Sequence, residues 1–244
     1  SVCKCEGWVV LLWIVNAGWL CSPPKRRTTR RFWFSTVATR LAIFPTLPKV
    51  QLASGQSFAS IEVEPGQQVC LGNVDVKVAF YVMQLPPELL QYFGLPFDVR
   101  AGDVGVTTVL DGAGNTVHIS PDTRIVPVSA AIPMGWAHSL AVCQSVLEGL
   151  SRKVAGVCAE NALVDRKVAP MIDRMIHTEY ADNFESYAYK ERLVAEAAKG
   201  VEGLLNDAGL PAHDVFVTKG GASLGWDVSA VEPILGGSVG RRVR

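Results

Sequence analysis

Residues 177–186, HTEYADNFES, read as two short β-forming runs turned back on each other at Asp182 and Asn183. A turn this tight commits its flanks to antiparallel pairing. Asp and Asn suit such a tip because they tolerate unusual backbone angles and bond their own main chain, so turn chemistry alone accounts for both. The hairpin becomes more constraining when its flanks are included. From Trp136 onward, Leu140, Cys143, Val146, Leu147 and Leu150 recur at steps of three and four, the stripe of an amphipathic helix ending near Gly156. A second helix is expected from Lys190 to Ala208, with Leu193, Ala197, Val201, Leu204 and Leu205 on one face and Gly209 as its stop. One-sided helices around a hairpin give an α+β plan, an antiparallel sheet with helices packed on one face.

The remaining chain supplies partners for that sheet. The stretch from Phe32 to Val63 mixes β-formers with prolines and ends in a short helix, and Pro65 and Gly66 form a turn. A strand from Gln67 to Asp75 gives way to a turn or helix around Val78–Met83. DGAGN, between two β-rich runs, is a hairpin loop. Strands near Val215–Thr218 and Ser223–Val228 follow the second helix.

With 49% hydrophobic and 19% charged residues the chain can bury a core, and its 23 basic and 23 acidic residues cancel, so no global field selects a polyanionic partner. Locally, Lys25, Arg26, Arg27, Arg30 and Arg31 crowd one segment and Arg241, Arg242 and Arg244 another, which suits phosphate contacts or a solvated tail. Six cysteines lack paired metal-ligand spacing, the one close pair being Cys3 and Cys5, and this points to a reducing compartment. The apolar stretch 7–21 falls short of the ~20 residues that span a bilayer and contains Asn16. It reads as a signal-like region, a short membrane segment or a buried element.

Asp75 stands at the C-terminal end of its expected strand and Asp182 at the hairpin tip. If those strands are neighbours, the two carboxylates converge and repel unless a cation lies between them. Mg²⁺ prefers oxygen ligands and keeps waters, so two carboxylates, a carbonyl and substrate phosphates form a natural set. Two such ions can activate one oxygen and stabilise the leaving one in phosphoryl transfer.

The strings DVKVAFY (75–81), IPMGWAHS (132–139), YADN (180–183), GLLNDAGLP (203–211) and LGWDV (224–228) follow the order and approximate spacing of polymerase palm motifs. In this the sequence resembles retroelement reverse transcriptases over roughly residues 35–230. The resemblance implies a polymerase palm with partial fingers and no complete thumb. It implies that Asp75, Asp182 and Asn183 form the catalytic set, with Mg²⁺ (or Mn²⁺) on Asp75, Asp182 and the Val76 carbonyl. Phe80 stands where an aromatic ring excludes a ribose 2′-hydroxyl, or is an ordinary core aromatic. Pro133, Met134 and Gly135 match the turn beneath template and incoming base, or form a helix entry with Trp136 as a core anchor. Arg40 matches an arginine near the triphosphate, or is a surface residue. Leu224, Gly225 and Trp226 resemble the hairpin that grips the primer, or form a plain edge strand. His213 takes the place of a general acid for pyrophosphate, or is a surface histidine.

The chain departs from the family pattern in three ways. Asn183 replaces the second aspartate of the Tyr-x-Asp-Asp string, and an amide brings no charge to a cation. Val78 and Ala38 stand where acidic residues are usual. The chain also ends soon after LGWDV. Residues 1–34 are expected to be a separate N-terminal segment, 35–235 the fingers and palm, and 236–244 a basic tail. The implied function is RNA-directed DNA polymerisation, from deoxynucleoside triphosphate to a primer 3′-hydroxyl on an RNA or DNA template, with further polymerase subdomains supplied from outside this chain. A catalytically inactive remnant that binds nucleic acid is the second reading, and a membrane-tethered protein resting on 7–21 a third, although a membrane partner is not expected. A viral RNA-copying polymerase is the nearest enzyme alternative, disfavoured by Phe80 and by the lone Asp182. An intracellular location, nuclear or cytoplasmic, is expected.

Overall fold

The computed structural model describes residues 49–95, 97–110 and 115–224, and the backbone alone of Lys4–Cys5, Trp8–Ile14, Trp226–Asp227 and Gly236–Gly237. Side chains at 87, 88, 91, 222 and 223 are likewise left aside. In chain order the elements begin with β1 (Lys4–Cys5), β2 (Trp8–Ile14), α1 (Gly55–Ala59), β3 (Cys70–Val76) and α2 (Ala79–Val82). The strands β4 (Val99–Arg100), β5 (Thr108–Leu110), β6 (Thr116–His118) and β7 (Arg124–Ser129) follow. After α3 (Ser139–Ser151) come β8 (Ile176–Tyr180), β9 (Asn183–Ala188), α4 (Glu191–Asp207) and β10 (Ala212–Lys219), and the short β11 (Ala222–Ser223), β12 (Trp226–Asp227) and β13 (Gly236–Gly237) end the series. The fold is α+β with antiparallel sheets, as the sequence implies. The chain forms two compact units, Ser1–Thr46 with Phe80–Ser139, and Leu47–Ala79 with Leu140–Arg244.

In the second unit a four-stranded sheet has the order β10-β3-β9-β8, antiparallel throughout. Its register fixes which side chains share a face, because paired residues point the same way. Gly72, Ser186 and His177 lie in one row, and Val74, Phe184 and Glu179 in the next. Both helices cover this face. The Ser151 hydroxyl of α3 donates to Glu179 (2.6 Å), and α4 crosses so close to Gly72 that an added Cβ would lie 2.8 Å from the Val194 carbonyl oxygen. Gly72 is therefore a contact requirement of the helix rather than a turn residue.

The opposite face carries Leu71, Tyr187 and Ile176, then Asn73, Glu185 and Thr178, then Asp75, Asn183 and Tyr180. Its first row is covered by Phe58 of α1, whose ring meets Tyr187 edge-on at 5.9 Å, with Val69, Leu163 and Ile172 completing the cluster. The helix α1 exists in five residues because Ser54 and Ser57 cap it reciprocally. A cluster of this kind leaves the far end of the face to polar residues.

The helix α4 buries Val194, Ala197, Ala198, Val201 and Leu205 on one stripe. Gly209 (φ +77°) ends it in a Schellman motif, with Leu210 N donating to Leu205 O (2.9 Å) and Gly209 N to Asn206 O (3.0 Å). Three sequence expectations are corrected. The helix expected to end near Gly156 spans Ser139–Ser151, and its last residue spends its side chain on Glu179. The β10 strand begins earlier, at Ala212, because it pairs along all of β3. The stretch expected as one strand from Ser223 is instead a hairpin, with Ser223 paired to Trp226.

The first unit has its own sheet, ordered β1-β2-β7-β4, and the β5-β6 hairpin flanks 111–114, residues outside the described set. Trp8–Ile14, inside the apolar stretch, is a strand paired with β7. No helix among the described residues is long and apolar enough to cross a membrane. Trp136 packs edge-on against buried Phe93 (5.2 Å) and stacks on His138 (5.0 Å), as a core anchor does.

Candidate active site

The hairpin turn consists of Ala181 and Asp182, since Tyr180 pairs directly with Asn183. Ala181, not Asp182 or Asn183, takes the left-handed angle (φ +58°). This corrects the expectation from turn chemistry, because the polar residues are not the ones relieving backbone strain. Asn183 belongs to β9, where it pairs with both Tyr180 and Asp75.

The turn is held from both sides. On one side α3 contributes Gln144, only 3% exposed, whose Oε1 accepts from Ala181 N (2.9 Å) while Nε2 donates to Glu179 O (3.0 Å) and Glu148 Oε1 (2.9 Å). On the other, Val76 N at the end of β3 donates to Asp182 O (2.8 Å), and Lys77 N donates to Pro211 O (2.8 Å). Main-chain bonds thus tie the ends of the two acid-bearing segments together.

Asp75 pairs across the sheet with Asn183 on one side and His213 on the other. His213 Nε2 lies 3.5 Å from Asp75 Oδ1, and His213 Nδ1 lies 3.3 Å from Asp214 Oδ2 but off the line a hydrogen bond requires. A register shift in β10 between His213 and Phe216, with Asp214 at φ +48°, makes room for this arrangement. Bulges of this sort re-aim side chains. The Asn73 amide secures the bulge by donating to Asp214 O (2.8 Å).

The Asp75 carboxyl is pushed above its ordinary 3.8, first by desolvation, then by the Asp182 charge, with His213 pulling it down and Asp214 pushing it up. The same Asp182 charge reaches Cys143 of α3, whose thiol, raised chiefly by burial, stands at about 11. The hydrogen bonds from Ala181 to Gln144 and from Val76 to Asp182 hold the turn between α3 and the end of β3. Asn183 Nδ2 donates to Glu185 Oε1 (3.2 Å), leaving its own Oδ1 buried without a partner. Among the described residues no group of three or more His, Cys, Asp or Glu side chains forms a ready-made metal cage. The donor set is two repelling carboxylates with an orphaned amide oxygen, all hard oxygen, which fits Mg²⁺ or Mn²⁺ completed by water and phosphate better than a softer ion.

Of the other residues singled out in the sequence, Phe80 and Pro133–Gly135 belong to the other compact unit. Phe80 is half-buried on α2, Gly135 takes φ +92°, and Pro133 O accepts from Ser139 Oγ (2.8 Å) at the start of α3. Leu224 adopts φ +45° in the hairpin between β11 and β12, Trp226 is described by its backbone only, and Arg40 and Gly225 lie outside the described residues. The sequence reading missed Asp214 and Gln144. A Gln inside an otherwise apolar stripe was the available signal for the second, whereas nothing local announced the first.

No family model and no curated protein matches this chain. Among solved structures it is similar to a foamy viral protease–reverse transcriptase in complex with double-stranded DNA, at 12% identity and a TM-score of 0.44, over 75% of this chain. The chain spans about a quarter (24%) of the length of that protein.

Proposed function

We propose that the Asp75–Asp182 site carries out nucleotidyl transfer in a template-directed DNA polymerase of the reverse transcriptase kind. The observation that carries the reading is that two acids far apart in the chain meet where β3 joins the β8-β9 turn, linked by Val76 N to Asp182 O at 2.8 Å, with Asp75 raised first by desolvation and then by the Asp182 charge. Convergence of like charges that one histidine only partly offsets is costly unless a cation or a reacting group enters it. The order of the five palm-like strings supports the same conclusion.

Asp75 and Asp182, with the Val76 carbonyl, would hold Mg²⁺ or Mn²⁺. When bound, the metal supplies a lowered pKa at the primer 3′-hydroxyl and charge neutralisation at the triphosphate. The chain's own residues do the positioning. Gln144 fixes the turn that carries Asp182, and the β3 main chain fixes the opposite acid. His213, with Nε2 toward Asp75, is the group assigned to deliver a proton to the leaving pyrophosphate. Phe80 is assigned to exclude the ribose 2′-hydroxyl, Pro133–Gly135 to underlie template and incoming base, Arg40 to meet the triphosphate, and Leu224–Trp226 to hold the primer.

Primer extension on RNA and DNA templates with Mg²⁺ tests this. Asp75→Asn and Asp182→Asn should each lower incorporation roughly 1000-fold, the equivalent of about 4 kcal/mol. Extension by Asp75→Ala at the rate of the unaltered protein would exclude the assignment.

A second reading, an inactive domain that only binds nucleic acid, is favoured by Asn183, a neutral amide that brings no charge to a cation. It predicts template binding without metal-dependent incorporation, whatever the template.

A further inference from the structure

On the sheet face that carries Asp75, Asn183, Glu185 and Tyr187 stand at alternate positions of β9 and so point the same way. Glu185 is only 3% exposed. Its two carboxylate oxygens take different donors: Oε2 accepts from the Tyr187 hydroxyl, and Oε1 accepts from Asn183 Nδ2 (3.2 Å). Tyr187 is itself fully buried, and its ring is held edge-on by Phe58 at 5.9 Å. A line of support thus runs from the capped helix α1 through Tyr187 and Glu185 to Asn183, whose strand neighbours are Asp75 and Tyr180.

This contact decides which way the Asn183 amide faces. An ionised carboxylate has no hydrogen to give, so only the amide nitrogen can meet it, and the planar group then turns its oxygen away from Glu185. That oxygen is enclosed and has no hydrogen-bond partner, in the row of the sheet that also holds Asp75. An enclosed acceptor in a row with a carboxylate is costly unless a donor or a positive charge joins them. A carboxylate that accepts from the far side of a metal-binding side chain fixes its orientation and makes it a better donor to the ion. An aspartate at 183 could not take this place, because its carboxylate would meet that of Glu185 at hydrogen-bonding distance with no proton between them.

We propose that Glu185 is a positioning residue of the Asp75–Asp182 site: it holds Asn183 by its amide nitrogen and leaves the amide oxygen for the cation that the two aspartates attract. The inference rests on the proposed cation site and adds to it a reason for the amide at 183. Asn183 is then a neutral ligand matched to a buried acid two positions on.

Mn²⁺ binding to the full chain, followed through the free ion by electron paramagnetic resonance, is the test, together with thermal unfolding without metal. Glu185→Gln should weaken binding about 10-fold, because a glutamine offers both a donor and an acceptor and no longer dictates how the amide faces. Asn183→Ala should weaken it by about the same factor, and the double variant by no more than about 10-fold, since one residue acts through the other. Tyr187→Phe keeps the ring and drops only the hydroxyl, and binding about 3-fold weaker is expected from it. In the metal-free chain Asn183→Asp should lower the unfolding midpoint by about 3–6 °C, and adding Glu185→Gln should restore most of the loss. Single effects that multiply to about 100-fold in the double variant overturn the positioning role and leave the cation site standing. So does binding that is lost in Asp75→Asn and unchanged in Glu185→Gln and Tyr187→Phe. No saturable binding by the unaltered chain removes the cation site and this proposal together, and an Asn183→Asp chain as stable as the unaltered one overturns the pairing whether or not metal binds.

Discussion

On the helix-covered face of the four-stranded sheet His177 Nδ1 lies 3.2 Å from Glu179, and on the opposite face His213 Nε2 lies 3.5 Å from Asp75. The separations are similar and the sheet is the same, yet Glu179 is held below its ordinary 4.5 and Asp75 above its ordinary 3.8. Burial pushes both carboxyls up, and much harder at Glu179, which is 5% exposed. The difference lies in the company each keeps. Glu179 has His177 Nδ1 3.2 Å away, a hydrogen bond from Ser151, and Arg152 nearby. Asp75 has one histidine against two other aspartates. One acid is saturated and structural, and the other is starved of positive charge and open to a ligand.

The largest effect should come from breaking the saturated pair. Glu179→Gln keeps an oxygen for the Ser151 hydroxyl but removes the carboxylate charge that faces His177 and Arg152 in a closed layer, and should cost about 3–5 kcal/mol in urea denaturation. The same pair sets an acid limit. Because the folded Glu179 value lies below 4.5, its contribution is fully present above that pH and is lost as pH falls through the lower folded value. The variant should lack that segment of the acid-unfolding curve.

Gly72→Ala probes the same face by geometry instead of charge. The added methyl meets the Val194 main chain, which has no rotamer to yield, so about 1–3 kcal/mol of stability should be lost. On the opposite face a smaller change of opposite sign is expected. Asp75→Asn removes a repelled charge and should stabilise the metal-free protein by about 0.5 kcal/mol in thermal unfolding, and Mg²⁺ should erase the advantage by stabilising only the unaltered chain. A destabilised Asp75→Asn would mean that the two faces do not differ as described.

These faces were unequally legible in the sequence. Strict periodicity carried α4, down to its Gly209 stop, and alternation carried the strands around the turn, because both signals are local. The arrival of Asp75 beside Asp182 was readable from the ends of two expected strands and from the palm-like strings. Asp214 was not readable, since its place depends on a register shift in β10 against β3, a pairing set by contacts between distant segments. The tip of the hairpin was misassigned by the same route: Asp and Asn look like turn formers, and the strained angle fell on Ala181. Gln144 and the His177–Glu179–Ser151 set belong to packing between α3 and β8, which no single segment encodes.

We propose that a divalent cation binds at Asp75 and Asp182. Titrating the full chain with Mn²⁺ and following the free ion by electron paramagnetic resonance tests it without primer, template or turnover. The account predicts saturable binding that is lost in Asp75→Asn and in Asp182→Asn and kept in Glu179→Gln where that variant still folds. Binding unchanged by both aspartate substitutions, or no saturable binding by the unaltered chain, would contradict it.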